Sequence, residues 1–155
     1  MRALLDTTYL LPAIGVSVKG VPGNALDRLM TRGDEILISE ISLFELAAKG
    51  ARYVLDGELP PERVTRGINA ITHDASITTI PGYDTPTLRL AFGLRRLLGD
   101  FIDCLILSSA VNNGEVLVTE DEEIHALKGE SRFGELMAAA GSTCKIKRME
   151  EVLRG

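Results

Sequence analysis

The chain has few of the residues that build zinc sites and disulfide frameworks. Only two cysteines and two histidines occur among its 155 residues, and no CxxC or Cys/His spacing is present. Cys104 and Cys144 lie in apolar contexts, which predicts buried free thiols in a reducing compartment. A zinc site and a disulfide-stapled fold are therefore disfavoured.

The chain also lacks an apolar run of membrane-spanning length and an excess of basic residues. Asp, Lys or Gly interrupts its longest apolar stretches, whereas a spanning helix needs about 20 consecutive apolar residues. The start, MRALLDTTYLLPAIG, carries an acid within its apolar region and makes a poor signal peptide. We therefore expect a cytoplasmic protein. The net charge of −5 argues against a nucleic-acid binder that works by bulk charge alone, although acidic metal ligands would contribute to that charge.

Short apolar strands alternate with helices along the sequence. Strands are predicted at residues 2–5, 35–39, 75–80, 116–118 and 143–147. This alternation, without repeats or low-complexity tracts, indicates a single α/β domain over residues 1–155 with a mainly parallel sheet. Such folds bind ligands at the carboxyl ends of their strands.

Two of the predicted helices have apolar stripes. The helix over residues 41–55 is expected to bury the side that carries Ile41, Phe44, Ala48, Ala51 and Leu55. The stretch from residue 102 to residue 121, IDCLILSSAVNNGEVLVTED, reads as an amphipathic helix, a turn and a short β-branched strand. An acid stands at each end of this second unit.

Four acids are expected at one edge of the sheet. Asp6 follows the first strand directly, and Asp121 follows the strand at residues 116–118. Asp103 lies in the first turn of the helix that leads into this strand, and such a helix begins near the strand's carboxyl edge. Glu45 lies early in the helix after the second strand. The topology therefore brings Asp6, Asp103 and Asp121 together, with Glu45 as a fourth candidate.

Clustered carboxylates need a positive partner. Two such charges about 4 Å apart repel by roughly 4 kcal/mol at an effective dielectric constant near 20. Oxygen ligands without His or Cys suit Mg²⁺ or Mn²⁺ and do not suit zinc. An ion of this kind can activate water and stabilise the charge that develops at phosphorus, so hydrolysis of a phosphodiester is the natural reaction.

The segments around these acids resemble the four acidic motifs of the PIN-domain nucleases, particularly the toxins of VapBC-type toxin–antitoxin pairs. They are LLDTTYLLP, ISLFELAAK, DCLILSSA and LVTED, in the order and spacing of that family. The resemblance implies a parallel five-stranded α/β/α sandwich and a Mg²⁺- or Mn²⁺-dependent endoribonuclease. It also implies RNA as substrate, a cognate antitoxin as partner and a homodimer.

The resemblance implies roles for individual residues. Asp6 and Asp103 would be the principal metal ligands, and Glu45 and Asp121 would complete the acidic pocket, partly through water. Hydroxyl groups that match the family's motifs would orient these ligands by hydrogen bonds, and they belong to Thr7, Thr8 and Thr119. Residues 57–96 match no motif, so the resemblance says nothing about substrate choice.

Each acid also has a local explanation. Asp6 can be a turn residue, Asp103 a helix cap in competition with Asp100, Glu45 the partner of Lys49, and Asp121 the start of a solvated helix. His73 and His125 are expected at the surface. The basic cluster Arg89, Arg95 and Arg96 fits either an RNA backbone or a solvated helical face, and no aromatic platform accompanies it in the predicted structure.

Two other functions compete with the nuclease. A domain of this fold could serve as a non-catalytic module that binds RNA or protein, although a pure scaffold has no physical need for four acids. A phosphatase or receiver-like domain with Asp6 as phosphate acceptor would need a second acid where Thr8 stands.

Overall fold

The computed structural model describes residues 1–155 and contains one five-stranded sheet. Its strands are β1 (Arg2–Leu5), β2 (Glu35–Ser39), β3 (Ile77–Ile80), β4 (Val116–Val118) and β5 (Lys145–Lys147). All neighbours pair in parallel, in the order β3-β2-β1-β4-β5. The predicted parallel sheet is confirmed, and only β3 and β5 begin two residues later than the sequence indicates.

Eight α-helices and two 3-10 helices connect the strands. The α-helices are α1 (Ala25–Thr31), α2 (Glu40–Leu55), α3 (Pro61–Thr72), α4 (Thr85–Leu94), α5 (Phe101–Asn113), α6 (Glu122–Ala126), α7 (Ser131–Ala139) and α8 (Met149–Arg154). The first 3-10 helix, Thr7–Ile14, directly follows β1, and the second, Leu127–Gly129, follows α6. No helix combines the length and the apolar character that crossing a bilayer requires.

Alternate strand residues build a core on each face of the sheet. Leu4, Leu37 and Leu117 point into one core, which is completed by helices α4 to α7. Ala3, Leu5, Ile36, Val116 and Val118 point to the other face, beneath the first 3-10 helix, α1 and α8. Because strand side chains alternate with a period of two, one short apolar strand supplies both cores. The three-layer α/β/α sandwich is thereby confirmed.

Helix α5 is buried all round instead of amphipathic. Every side chain from Cys104 to Val111 is buried, because α4 covers the side of α5 that faces away from the sheet. The apolar stripe expected from the sequence is therefore only part of the buried surface. Cys104 is a buried free thiol, and Cys144 is also free but only half-buried.

The predicted buried face of α2 is wrong. Phe44 is 65% exposed and Leu55 is 85% exposed, whereas the buried residues of the helix are Ile41, Ser42, Leu46 and Gly50. Helix α2 approaches α3 closely at Gly50, where an added Cβ would stand 2.5 Å from Val64 Cγ1. Only a small residue fits where two helices approach each other this closely. A search for large apolar side chains does not find such a position. Because α2 turns a different side toward the core than the sequence predicts, Glu45 is half-buried next to the buried Leu46.

Strand order reverses at β1. The chain proceeds from β1 outward to β2 and β3, and then crosses to β4 and β5 on the other side of β1. Parallel α/β sheets bind ligands in the crevice beyond the carboxyl ends of the strands at such a reversal. Asp6 follows β1 and Thr119 follows β4 at this point.

Candidate active site

Asp6 is held rigidly at the carboxyl end of β1. Its carboxylate is 8% exposed, and it caps the first 3-10 helix by accepting a 2.7 Å hydrogen bond at Oδ1 from the Thr7 backbone N–H. Its Oδ2 accepts a 2.6 Å hydrogen bond from Thr119 Oγ1. The Asp6 backbone N–H donates to the Val118 carbonyl of β4. The turn explanation for Asp6 is correct locally, and it also accounts for how the carboxylate is positioned.

Thr119 links Asp6 to Asp121. Its buried hydroxyl donates to Asp6 and accepts a 3.1 Å hydrogen bond from the Asp121 backbone N–H. Asp121 Oδ1 caps α6 by accepting from Ile124 N–H at 2.9 Å, so Asp121 is half-buried at a helix start. His125 Nε2 lies 2.9 Å from the Thr119 carbonyl oxygen. The predicted surface role is therefore wrong for His125, which is half-buried.

The remaining histidine behaves as the sequence indicates. His73 is exposed and closes the carboxyl end of α3, where its Nδ1 lies 2.9 Å from the Asn69 carbonyl oxygen. The prediction of a surface position for His73 is confirmed. It has no place in the acidic site.

Asp103 and Glu45 approach Asp6 from two helices. Asp103 lies half-buried in the first turn of α5, but Asp100 provides the cap, since its Oδ1 accepts a 2.8 Å hydrogen bond from Ile102 N–H. None of the six ion pairs in the chain involves Glu45, so the alternative pairing with Lys49 is not formed. Neither acid is explained by its local role.

Burial and neighbouring negative charges raise the pKa of two of the four acids, Asp103 and Asp6. The pKa of Asp103 is raised to about 7, chiefly by burial and further by the negative charges of Asp100, Asp6, Asp121 and Glu45. Burial also raises the pKa of Asp6, with further contributions from Glu45 and Asp121, although hydrogen bonds from Thr119 and Thr7 oppose the rise. No ion pair neutralises any of the four. The cluster is therefore an uncompensated concentration of negative charge.

The acids are close enough to interact but are not arranged as a complete ligand cage. Nowhere in the chain do three His, Cys, Asp or Glu side chains stand close enough together to hold one metal ion by themselves. Mg²⁺ usually keeps several of its waters and binds protein through one or two carboxylates. An all-oxygen set spread over a rim is compatible with that mode of binding.

Two hydroxyl groups near the acids have no protein partner. Thr7 Oγ1, beside Asp6, and Ser42 Oγ, one helical turn before Glu45, are buried without a hydrogen bond. Buried polar groups are nearly always satisfied, so exceptions need an explanation. Unpartnered hydroxyls beside the buried Asp6 and the half-buried Glu45 fit a site for a hydrated cation. Thr8 is half-buried in the same 3-10 helix.

Sequence reasoning missed a hydrogen-bond network next to this cluster. Glu120 Oε1 accepts a 2.6 Å hydrogen bond from the buried Tyr9 hydroxyl and a 3.1 Å bond from Met149 N–H, and Glu120 Oε2 pairs with Arg148 at 3.2 Å. Burial opposes ionisation of Glu120, but these hydrogen bonds prevail and lower its pKa. The network ties α8 to the segment that carries Thr119 and Asp121. The sequence contained one indication of this network, the position of Glu120 just beyond β4.

The pKa of Asp103 predicts how stability depends on pH without metal. Because its folded pKa of about 7 exceeds the ordinary 3.8, the folded protein keeps a proton that the unfolded chain loses. In EDTA, the free energy of unfolding should therefore fall as pH rises from about 4 to about 7, and Asp103→Asn should reduce this fall. Urea unfolding at pH 5 and pH 8 measures both. An equal decrease in the wild type and the variant would contradict this assignment.

Comparison with known proteins agrees with this fold. The sequence model of the PIN domain matches residues 3–130, a range that includes all four acids. A search of curated proteins finds no match.

Two solved structures share the fold. A chain of VapBC2 from Rickettsia felis, bound to a DNA fragment from its promoter, is 20% identical with a TM-score of 0.62. A chain of DNA-bound VapBC from Salmonella typhimurium is 21% identical with a TM-score of 0.59. In both comparisons the alignment covers 96% of this chain and 98% of the other. Since the family's sequence model matches most of the chain, the protein belongs to the PIN domain family, a family of nucleases.

Proposed function

We propose that this protein is a metal-dependent endoribonuclease that hydrolyses RNA phosphodiester bonds, and that it is the toxin of a VapBC-type toxin–antitoxin pair. The observation that carries the proposal is the cluster of four uncompensated acids at the point where strand order reverses. Because the chain belongs to a family of nucleases, we expect this cluster to take part in hydrolysis of phosphodiester bonds. A non-catalytic binding module would have no use for a half-buried carboxyl group whose pKa is raised to about 7.

The four acids would have different roles in binding a divalent cation. We assign Asp6 and Asp103 as the principal ligands, and we assign Glu45 and Asp121 to the outer part of the pocket, where they would bind the ion partly through water. Mg²⁺ or Mn²⁺, when bound, supplies positive charge that offsets carboxylate repulsion and stabilises the charge that develops on the phosphodiester. The buried hydroxyl of Thr7 supports this assignment because it has no protein partner.

The remaining residues would fix the geometry of these acids. Thr119 holds Asp6 Oδ2 and the Asp121 backbone in one arrangement, and the Thr7 backbone N–H holds Asp6 Oδ1. We assign Thr8 to the same orienting group because it matches the family's motif. Asp121 uses Oδ1 to cap α6, which leaves its other oxygen for water or substrate. Hydrogen bonds of this kind orient ligands and influence metal affinity.

Metal dependence is the direct test. Purified protein should cleave a labelled single-stranded RNA in MgCl₂ or MnCl₂ and should leave it intact in EDTA. The same ions should raise the melting temperature, because a ligand that binds only the folded state stabilises it. Cleavage that persists in EDTA would contradict the metal-dependent mechanism. RNA binding without cleavage in either metal would support the non-catalytic module instead.

The proposal extends to protein partners. The two solved structures to which this chain is similar are VapBC assemblies, which favours a cognate antitoxin as a partner. A homodimer acting in the cytoplasm is the expected form of such a toxin. Co-expression with the product of a small adjacent reading frame should yield a complex with suppressed cleavage. Sedimentation of the separate chain tests the dimer, and a monomer at all concentrations would refute it.

A further inference from the structure

An aromatic pair with one exposed ring joins α4 to the first turn of α5. Phe92 of α4 and Phe101 of α5 stack with ring centroids 5.8 Å apart and planes inclined by 6°. Phe101 is half-buried, but Phe92 is 62% exposed. One side of the Phe92 ring is thus covered by Phe101, while much of the remaining ring surface is open. A large aromatic ring so exposed is a candidate contact surface.

Three arginines surround Phe92 on the same helix and its extension. Arg89, Arg95 and Arg96 are exposed, and they lie three or four residues from Phe92, the spacing that brings side chains together on a helix. Residues 85–99 contain no Asp or Glu, and none of these arginines forms an ion pair. The one hydrogen bond in this set joins Arg95 Nη1 to the Leu98 carbonyl at 2.9 Å. Glu123 and Glu130 line one cavity with Arg96 without pairing with it, so the positive charge is concentrated at Arg89 and Arg95.

The structure therefore corrects the view that these arginines lack an aromatic platform. The spacing of Phe92 from the arginines was visible in the sequence, and only its stacking on Phe101 of a different helix depended on the fold. Exposed aromatic rings combined with unpaired guanidinium groups are the features that bind single-stranded nucleic acid. The ring stacks on a base, and the cations contact the backbone phosphates.

We propose that Phe92, supported by Phe101 and flanked by Arg89, Arg95 and Arg96, binds an unpaired nucleotide of the single-stranded RNA substrate. The base stacks on the open surface of Phe92, and the guanidinium groups contact the adjoining phosphates. Phe101 and Asp103 share the first turn of α5, about 3 Å apart along the helix axis, but residues two apart point to different sides of a helix. The patch therefore lies at the same end of α5 as the acids and on another side of it, and the inference rests on the proposed function in taking RNA as the ligand.

Charge favours RNA over a second copy of the chain as the occupant. A two-fold symmetric dimer joined through this face would bring the same patch of both copies together. Arg89 and Arg95 of both copies would then converge without an acid in residues 85–99 to compensate them, since only Arg96 shares a cavity with acids, Glu123 and Glu130. A polyanion removes that repulsion, whereas a second copy doubles it.

Binding can be measured without cleavage. Anisotropy of a short fluorescein-labelled oligouridylate in EDTA should show about tenfold weaker affinity for Phe92→Leu, because a base–aromatic stack is lost. Phe92→Tyr keeps the ring and should bind like the wild type. Phe44→Leu is the matched control, since Phe44 is 65% exposed and carries no such cluster. Its affinity should not change.

The arginines have a separate readout. Arg96→Gln should reduce the slope of log K against log salt concentration by about 0.7, the value for one phosphate contact on a single strand. Arg52→Gln, an exposed arginine on α2, is the control and should leave the slope unchanged. Equal slopes for the wild type and Arg96→Gln would show that Arg96 does not contact a phosphate and would contradict this part of the proposal.

The outcomes separate this inference from the proposed function. Loss of affinity in Phe92→Leu, with a raised KM and an unchanged kcat in Mg²⁺, supports both. RNA binding that depends on Phe92 in a protein without cleavage supports the site and refutes the nuclease. Cleavage with unchanged affinity and KM in Phe92→Leu overturns the site alone. Dissociation of a dimer by Phe92→Leu, with RNA affinity unchanged, would show that the face joins two copies and would also overturn it.

Discussion

Replacing Asp103 by Asn is expected to reduce the rate of RNA cleavage by roughly a hundredfold or more, because charge stabilisation by a catalytic cation is worth several kcal/mol. The amide keeps the shape of the side chain and removes its charge, so the fold should persist. The variant should also bind Mg²⁺ more weakly, which appears as a smaller metal-induced rise in melting temperature. Cleavage assays and thermal unfolding with and without MgCl₂ measure these two effects.

Asp100→Asn is the matched control for this change. Asp100 lies in the same segment, is exposed and caps α5 through Oδ1. Asn caps helices about as well as Asp, so the helix should be retained. Cleavage should stay near the wild-type rate. Equal activity of the wild type and Asp103→Asn in both metals would remove the acidic cluster from the chemistry.

Replacing Gly67 by Ala is expected to destabilise the protein by about 3 kcal/mol or more, since the added methyl group meets backbone that has no space to yield. A Cβ at Gly67 would collide with the Ala13 carbonyl oxygen and would stand 2.8 Å from the Ala13 carbonyl carbon. The same carbonyl oxygen accepts a 2.6 Å hydrogen bond from Arg63 Nη1. For a domain of this size, the melting temperature should fall by roughly 6–12 °C.

The change at Gly67 should also affect the site. Ala13 belongs to the 3-10 helix that Asp6 caps, so displacing this helix disturbs the carboxylate at its start. Gly134→Ala in α7 is the control, because nothing lies within 4 Å of the added Cβ. That variant should gain about 0.5–1 kcal/mol, the usual benefit of Ala over Gly in a helix. Similar melting temperatures for the two variants would refute the packing argument.

Much of the acidic site could be predicted because its position follows from topology. Asp6 and Asp121 come just after strands β1 and β4, and parallel strands end at a common edge. Asp103 follows from the antiparallel course of the helix before β4. The buried hydroxyl of Ser42 and the hydrogen bond between Tyr9 and Glu120 could not be predicted this way. They depend on side-chain contacts between segments far apart in the chain.

The helix faces were harder to predict than the helices themselves. Periodicity located α2 to within one residue, but the buried side was set by the close contact between Gly50 and Val64. Helix α5 likewise lacks the solvent-exposed side that the sequence predicts, because α4 packs against it. A pattern within one helix describes its own residues and carries no information about which neighbours cover them.

The sequence by itself determined the order of the elements and the parallel sheet, and it predicted that Asp6, Asp103 and Asp121 lie at one edge with Glu45 as a fourth candidate. Local periodicity and the rules of strand connection are sufficient for the first three acids, whereas Glu45 rests on the resemblance to the family. Only the tertiary structure decided the raised pKa of Asp103, the anchoring of Asp6 by Thr119, and the stacking of Phe92 on Phe101. These features depend on burial and on distances between atoms of different elements, which packing alone establishes.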